Sequence, residues 1–142
     1  MITPSFVIDA SIIVAWYSPG EVNTYADSIL ACFNNEIAIT PPLCCLEVNN
    51  VLRVLEKKGA LSDLGVEKIL ASINDMPINR DNNPISFEIP LVRRLSAQYG
   101  LTIYDACYLE LAVRLSLPIA TLDTQLIEAA KAAGVSLKKA IG

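Results

Sequence analysis

Apolar residues in this chain come in short runs, several of them β-branched, that stop at a polar or acidic residue before helical spacing begins. Phe6-Val7-Ile8 stops at Asp9, and Ala10-Ser11 leads straight into Ile12-Ile13-Val14-Ala15-Trp16. The pattern predicts a buried strand and then a short helix over Ile12 to Tyr17, ended by Ser18-Pro19-Gly20. Glu21 to Asn35 predicts a second helix, because Val22, Tyr25, Ile29 and Cys32 recur at three- and four-residue steps. Asp27 falls off that stripe and reads as solvated. Glu36 to Thr40 reads as a strand. Pro41-Pro42 breaks it and opens a third helix that runs to about Lys58 and stops at Gly59. The predicted apolar stripe of that helix is Leu43, Val51 and Val54, and helical spacing sets Glu47 among them.

Ser62 reads as the cap of a fourth helix reaching Asn74, followed by a weak strand around Met76 to Asn79. Arg80-Asp81-Asn82-Asn83-Pro84 is a loop in which Asp81 serves turn chemistry. Glu88 to Tyr99 predicts a fifth helix carrying Arg93 and Arg94, with Gly100 at its end. Thr102 caps a sixth, Ile103 to about Ser116. Asp105 lies in its first turn, where the helix dipole favours an anion, and shares a face with Tyr108, Leu109 and Ala112. Pro118 to Asp123 repeats the opening device, an apolar strand ending in an aspartate before a helix. Asp123 or Thr124 caps that helix, which ends at Gly134. Val135-Ser136-Leu137 forms a last edge strand, and Lys138 to Gly142 a loose tail. Strands alternating with single or paired helices define an α/β fold, a parallel sheet covered on both faces, in a single domain over residues 1–142.

With 142 residues, 53% hydrophobic and 18% charged, the chain is no disordered segment. Mean hydropathy is +0.43, yet charges interrupt every apolar run before the roughly 18–20 residues a membrane span needs. The first residues lack the basic start of a secretory signal, which points to the cytoplasm. A net charge of −4 and a pI near 4.7 count against a general nucleic-acid binder. They leave room for an enzyme that reaches phosphates through a bound metal. Histidine is absent, which excludes serine–histidine hydrolases, histidine-based ribonucleases and the usual zinc hydrolases. Cys32, Cys44, Cys45 and Cys107 form no Cys-x-x-Cys pair and read as buried free thiols.

Asp9, Glu47, Asp105 and Asp123 are the candidate site. Asp9 and Asp123 stand at strand ends, where an aspartate either caps the following helix or offers a carboxylate to the rim of the sheet. Glu47 is either a glutamate reaching water from a helix edge or a carboxylate held among core-facing positions. Carboxylates gathered at one rim repel, and such a cluster persists by binding divalent cations or protons. An oxygen-only donor set suits Mg²⁺ or Mn²⁺.

Val7-Ile8-Asp9-Ala10-Ser11, Leu46-Glu47-Val48-Asn49-Asn50-Val51-Leu52, Leu101-Thr102-Ile103-Tyr104-Asp105-Ala106-Cys107-Tyr108-Leu109 and Thr121-Leu122-Asp123-Thr124-Gln125-Leu126 resemble the four acidic motifs of PIN-domain ribonucleases. The resemblance is closest to the VapC-type toxins of toxin–antitoxin pairs and runs the whole chain. It implies a three-layer α/β/α fold around a parallel sheet. It also implies an acidic pocket of Asp9, Glu47, Asp105 and Asp123 that binds Mg²⁺ or Mn²⁺ and supports endonucleolytic cleavage of RNA. Ser11 and Thr121 match hydroxyls beside the first and last aspartates. A homodimer and a cognate antitoxin laid across the groove are the implied partners, and a dimer would assemble an RNA track from Arg53, Lys68, Arg93 and Arg94. Aspartyl-phosphate chemistry fits poorly, since position 11 is Ser where a haloacid-dehalogenase-like phosphatase needs a second Asp. Two other readings stay open: a catalytically silent PIN-like binding module, and an RNA-processing PIN ribonuclease without an antitoxin.

Overall fold

Each strand is short because the chain leaves the sheet at a polar or cyclic residue. In the computed structural model, which describes residues 3–139, β1 (Phe6–Ile8) ends at Asp9 and β2 (Ala38–Thr40) at Pro41. β3 (Ile78–Arg80) ends at Asp81, and β4 (Ile119–Ala120) at Thr121. The order is β3-β2-β1-β4 and every pairing is parallel, with Phe6 opposite Ala38, Val7 opposite Ile119 and Ile39 opposite Asn79. The helices are α1 (Ala10–Tyr17), α2 (Thr24–Cys32), α3 (Leu43–Lys57), α4 (Asp63–Asn74), α5 (Pro90–Tyr99), α6 (Ile103–Leu115) and α7 (Thr124–Ala132). This is the expected α/β/α arrangement.

Right-handed crossovers assign the layers. β1 to β2 and β2 to β3 step one way along the sheet and carry α1 to α4 on one face. β3 to β4 steps back across β2 and β1 and puts α5 and α6 on the other. The helix contacts agree: α1 packs on α2 and α3, α3 on α4, while α6 packs on α5, α7 and β1. Strand order therefore reverses between β1 and β4, and outside that reversal, at the carboxyl ends, open α/β sheets bind their ligands. The core between the layers is apolar, with Phe6, Val7, Ile8, Ile12, Ile29, Leu52, Leu109, Leu111, Ile119 and Leu126 fully enclosed.

Several boundaries and faces differ from the sequence expectation. α2 starts at Thr24, because the Asn23 side chain accepts from the Ala26 N–H and caps it there. Val22, expected on the stripe, is 85% exposed. α3 buries Cys44, Val48 and Leu52 rather than Leu43, Val51 and Val54. Both rows are apolar at helical spacing, and the packing of α3 on its neighbours turns the second inward. Glu47 consequently sits at the edge of the buried face, half-exposed, and not within it. Cys45 is exposed and Cys107 partly so, so only Cys32 and Cys44 are buried thiols.

Asp81 does more than shape a turn, since it takes the Arg114 guanidinium at 2.6 Å, which Glu110 also holds at 2.8 Å. Leu137 forms a single parallel bridge to Ile119 in place of a full strand. Lys138, assigned to a loose tail, is anchored. Its ammonium meets Glu36 at 3.0 Å and lies over the Phe6 ring, and its carbonyl accepts from the Tyr25 hydroxyl. Residues 140–142 of that tail lie outside the described residues. No helix among the described residues is long and apolar enough to cross a membrane.

Candidate active site

Asp9 leaves the end of β1 and serves both roles considered for it. As N-cap of α1 it accepts from the Ser11 N–H at 3.1 Å on Oδ1, which also takes the Ser11 hydroxyl. Its Oδ2 accepts from the Thr121 hydroxyl at 2.7 Å, across the reversal point of the sheet. The two hydroxyls are themselves held: Leu122 N–H donates to Ser11 Oγ at 2.9 Å and Asp123 N–H to Thr121 Oγ1 at 3.0 Å. The ends of β1 and β4 are thus stitched together through one carboxylate. Asp9 is 5% exposed, and burial raises its carboxyl from 3.8 to about 6 against the opposing hydrogen bonds from Ser11 and Thr121.

The other three carboxylates arrive at the same edge by different routes. Glu47 is in the second turn of α3, which starts where β2 ends. Its Oε1 accepts the hydroxyl proton of the buried Tyr108 on α6. Asp105 lies in the first turn of α6, whose N-terminus is capped by Thr102 accepting from the Asp105 N–H at 3.1 Å. Asp123 caps α7, Oδ1 accepting from Gln125 N–H at 2.9 Å and Leu126 N–H at 3.4 Å. Burial raises the Glu47 carboxyl, and the charges of Asp105 and Asp123 raise it further against the Tyr108 hydrogen bond. Asp105 is raised by burial and by Asp123. These three are near enough to repel one another, whereas Asp9 is set by its own burial and its hydroxyl donors.

None of the four carboxylates takes part in an ion pair among the described residues. Hard oxygen donors of one sign, with no lysine or arginine paired to them among the described residues, fit a divalent cation such as Mg²⁺ or Mn²⁺. The expected convergence is incomplete: among the described residues no three Asp, Glu or Cys side chains come close enough together to cage an ion. None of the expected basic residues Arg53, Lys68, Arg93 and Arg94 forms an ion pair with these carboxylates among the described residues. Arg53 pairs with Glu56 on α3, and Arg93 and Arg94 line an open cleft with Phe87 at the start of α5. Sequence reasoning missed the partner of Glu47, since Tyr108 had been placed only as a core-facing neighbour of Asp105. The signal was available: a tyrosine in a buried helical row needs a partner for its hydroxyl.

Residues 6–132, a span holding all four carboxylates, match the PIN domain family. The chain belongs to the PIN domain family. Members of that family are typically nucleases that use divalent metals. Solved structures share the fold of this PIN domain at low sequence identity. PAE2754 from Pyrobaculum aerophilum is 22% identical with a TM-score of 0.66, over 97% of this chain and 90% of that one. A toxin–antitoxin complex from Klebsiella pneumoniae is 21% identical with a TM-score of 0.65, over 96% of this chain and 100% of that one. VapC20 of Mycobacterium tuberculosis, a toxin that cleaves the sarcin–ricin loop, is 11% identical with a TM-score of 0.60, over 95% of this chain and 99% of that one. A comparison with curated proteins finds no match to this PIN domain.

Proposed function

We propose that this protein is a divalent-metal-dependent endoribonuclease and the toxin of a type II toxin–antitoxin pair. The observation that carries the reading is the set of mutually repelling carboxylates Glu47, Asp105 and Asp123 at the carboxyl edge of the sheet, in no ion pair among the described residues, in a chain of the PIN domain family. Asp9, Asp105, Asp123 and Glu47 would hold Mg²⁺ or Mn²⁺. When bound, the ion lowers the pKa of water and neutralises charge on the phosphodiester oxygens during in-line hydrolysis. The chain's own contribution is to prepare the ligands. Ser11 and Thr121 fix both oxygens of Asp9, the caps of α6 and α7 fix Asp105 and Asp123, and Tyr108 fixes Glu47.

The toxin reading brings a homodimer, a cognate antitoxin and a cytoplasmic location with it. An apolar groove of about 460 Å³, lined by Ile13, Val48, Leu70, Ile73, Ile78 and Arg80 among others and by none of the four carboxylates, offers a partner segment a seat beside the site. A catalytically silent binding module is the second reading. It is favoured by the absence, among the described residues, of a closed ligand cage. One experiment separates them: a mixed RNA pool incubated with Mn²⁺, with EDTA, and with an identically purified Asp9→Asn protein. Cleavage requiring both Mn²⁺ and Asp9 supports the ribonuclease. Folded protein free of bound partner that cleaves in no lane supports the binding module.

A further inference from the structure

We infer that Tyr108 is a positioning residue that holds Glu47 at the acidic rim, where its carboxylate would take part in holding the divalent cation. This rests on the metal-site reading above. Tyr108 follows Asp105 by three residues on α6, so the two share a face, and its ring is 1% exposed. Its neighbours on the buried side of α6 are Leu109, Leu111 and Ala112. Packing alone would be served by a phenylalanine, and the hydroxyl is the part that needs explaining. That hydroxyl reaches across 61 residues of sequence to donate to Glu47 Oε1, and it also faces the thiol of Cys44, three residues before Glu47 on α3.

Glu47 Oε2, in contrast, takes no hydrogen bond among the described residues, and the charges that act on this carboxylate are those of Asp105 and Asp123. A long, half-exposed glutamate repelled by two other carboxylates would turn toward water if left free. The Tyr108 hydrogen bond opposes that rotation and ties α6 to α3 through one oxygen of the carboxylate. Such outer partners of metal ligands typically contribute about 10- to 100-fold in metal affinity.

The test is calorimetric titration of Mn²⁺ into the metal-free full chain, for the unmodified protein, Tyr108→Phe, Glu47→Gln, the double variant and Asp105→Asn, each with a thermal melt. Tyr108→Phe should raise the Kd about ten-fold or more, and the double variant should bind no more weakly than Glu47→Gln alone. Unchanged Mn²⁺ affinity in a folded Tyr108→Phe protein, with only the melt lowered, would make Tyr108 a packing residue and overturn the inference. So would losses that multiply in the double variant. Glu47→Asp keeps the charge and retracts it from Tyr108. It should lose affinity as well, and unchanged affinity in Glu47→Asp overturns the inference even if Tyr108→Phe does not fold. Mn²⁺ binding abolished by Asp105→Asn yet indifferent to Tyr108 leaves the metal site standing and removes only this assignment. No Mn²⁺ binding by the unmodified protein removes both.

Discussion

Replacing Asp9 by asparagine should stabilise the metal-free protein, and the size of the gain should grow with pH. In the folded chain burial raises the Asp9 carboxyl to about 6, against 3.8 in an exposed chain. The folded state therefore holds this proton more tightly than the unfolded state, and stability falls as pH rises from about 4 through about 6. A shift of roughly two units corresponds to about 3 kcal/mol, fully felt above pH 6. Asparagine stays neutral and keeps an acceptor for the Ser11 N–H. Its amide meets Thr121 Oγ1, which already accepts from the Asp123 N–H, and that mismatch costs about 1 kcal/mol. A net gain of about 2 kcal/mol at neutral pH remains.

The assay is urea unfolding of both proteins in EDTA at half-unit steps across the pH range from about 4 to about 7.5. Glu47 and Asp105 are raised in the same direction and tilt both curves alike, so the difference between the two proteins isolates Asp9. That difference should open between pH 4 and pH 6 and then level off. A difference that is flat with pH, or an Asp9→Asn protein less stable than the unmodified one at neutral pH, would refute the reasoning. Mn²⁺ should then narrow the gap, because a cation that binds only the folded state stabilises it by mass action.

Asp105→Asn should lower RNA cleavage by about 100- to 1,000-fold while leaving the melting temperature unchanged or raised, since it removes a repelling charge without changing shape; a gel-based cleavage assay paired with a thermal melt checks both. Leu52→Ala, at a fully buried site on α3, should cost about 2–5 kcal/mol in chemical unfolding, and a loss below 1 kcal/mol would mean that α3 is not seated as described. Gly100→Ala should cost about 1–2 kcal/mol, because Gly100 ends α5 in the left-handed region at φ 65° where a Cβ is strained although the space around it is open.

The strand–aspartate–helix device at Asp9 and Asp123 was legible because it is local. A β-branched run, a capping side chain and a helix lie within a few residues, and the motifs of the PIN domain family sit on those junctions. The rotation of α3 was not legible, for a tertiary reason. Leu43-Val51-Val54 and Cys44-Val48-Leu52 are both apolar rows, and only tertiary contact selects the second. The same contact sets Glu47 at the edge of the core, where Tyr108 can reach it. Lys138 was read as tail because its partners Glu36, Phe6 and Tyr25 lie more than a hundred residues away in sequence. Asp81 and Arg114 escaped notice for the same reason, one in a loop and the other on a helix, with no periodicity linking them.

The anchoring of Lys138 has a consequence for which edge of the sheet stays closed to a second chain. β4 is only two residues long and flanks the sheet on the side where strand order reversed. Beside it the Ile119 N–H donates to the Ser136 carbonyl and the Lys138 N–H to the Ile119 carbonyl, so residues 136–138 occupy the hydrogen-bonding groups that β4 would otherwise turn outward. An open parallel edge is a template on which a second chain adds a strand. The Glu36 and Tyr25 contacts fasten the cover that closes this template. Loosening that fastening, by Lys138→Ala or by salt, would leave the site's chemistry in place and turn the molecule toward self-association.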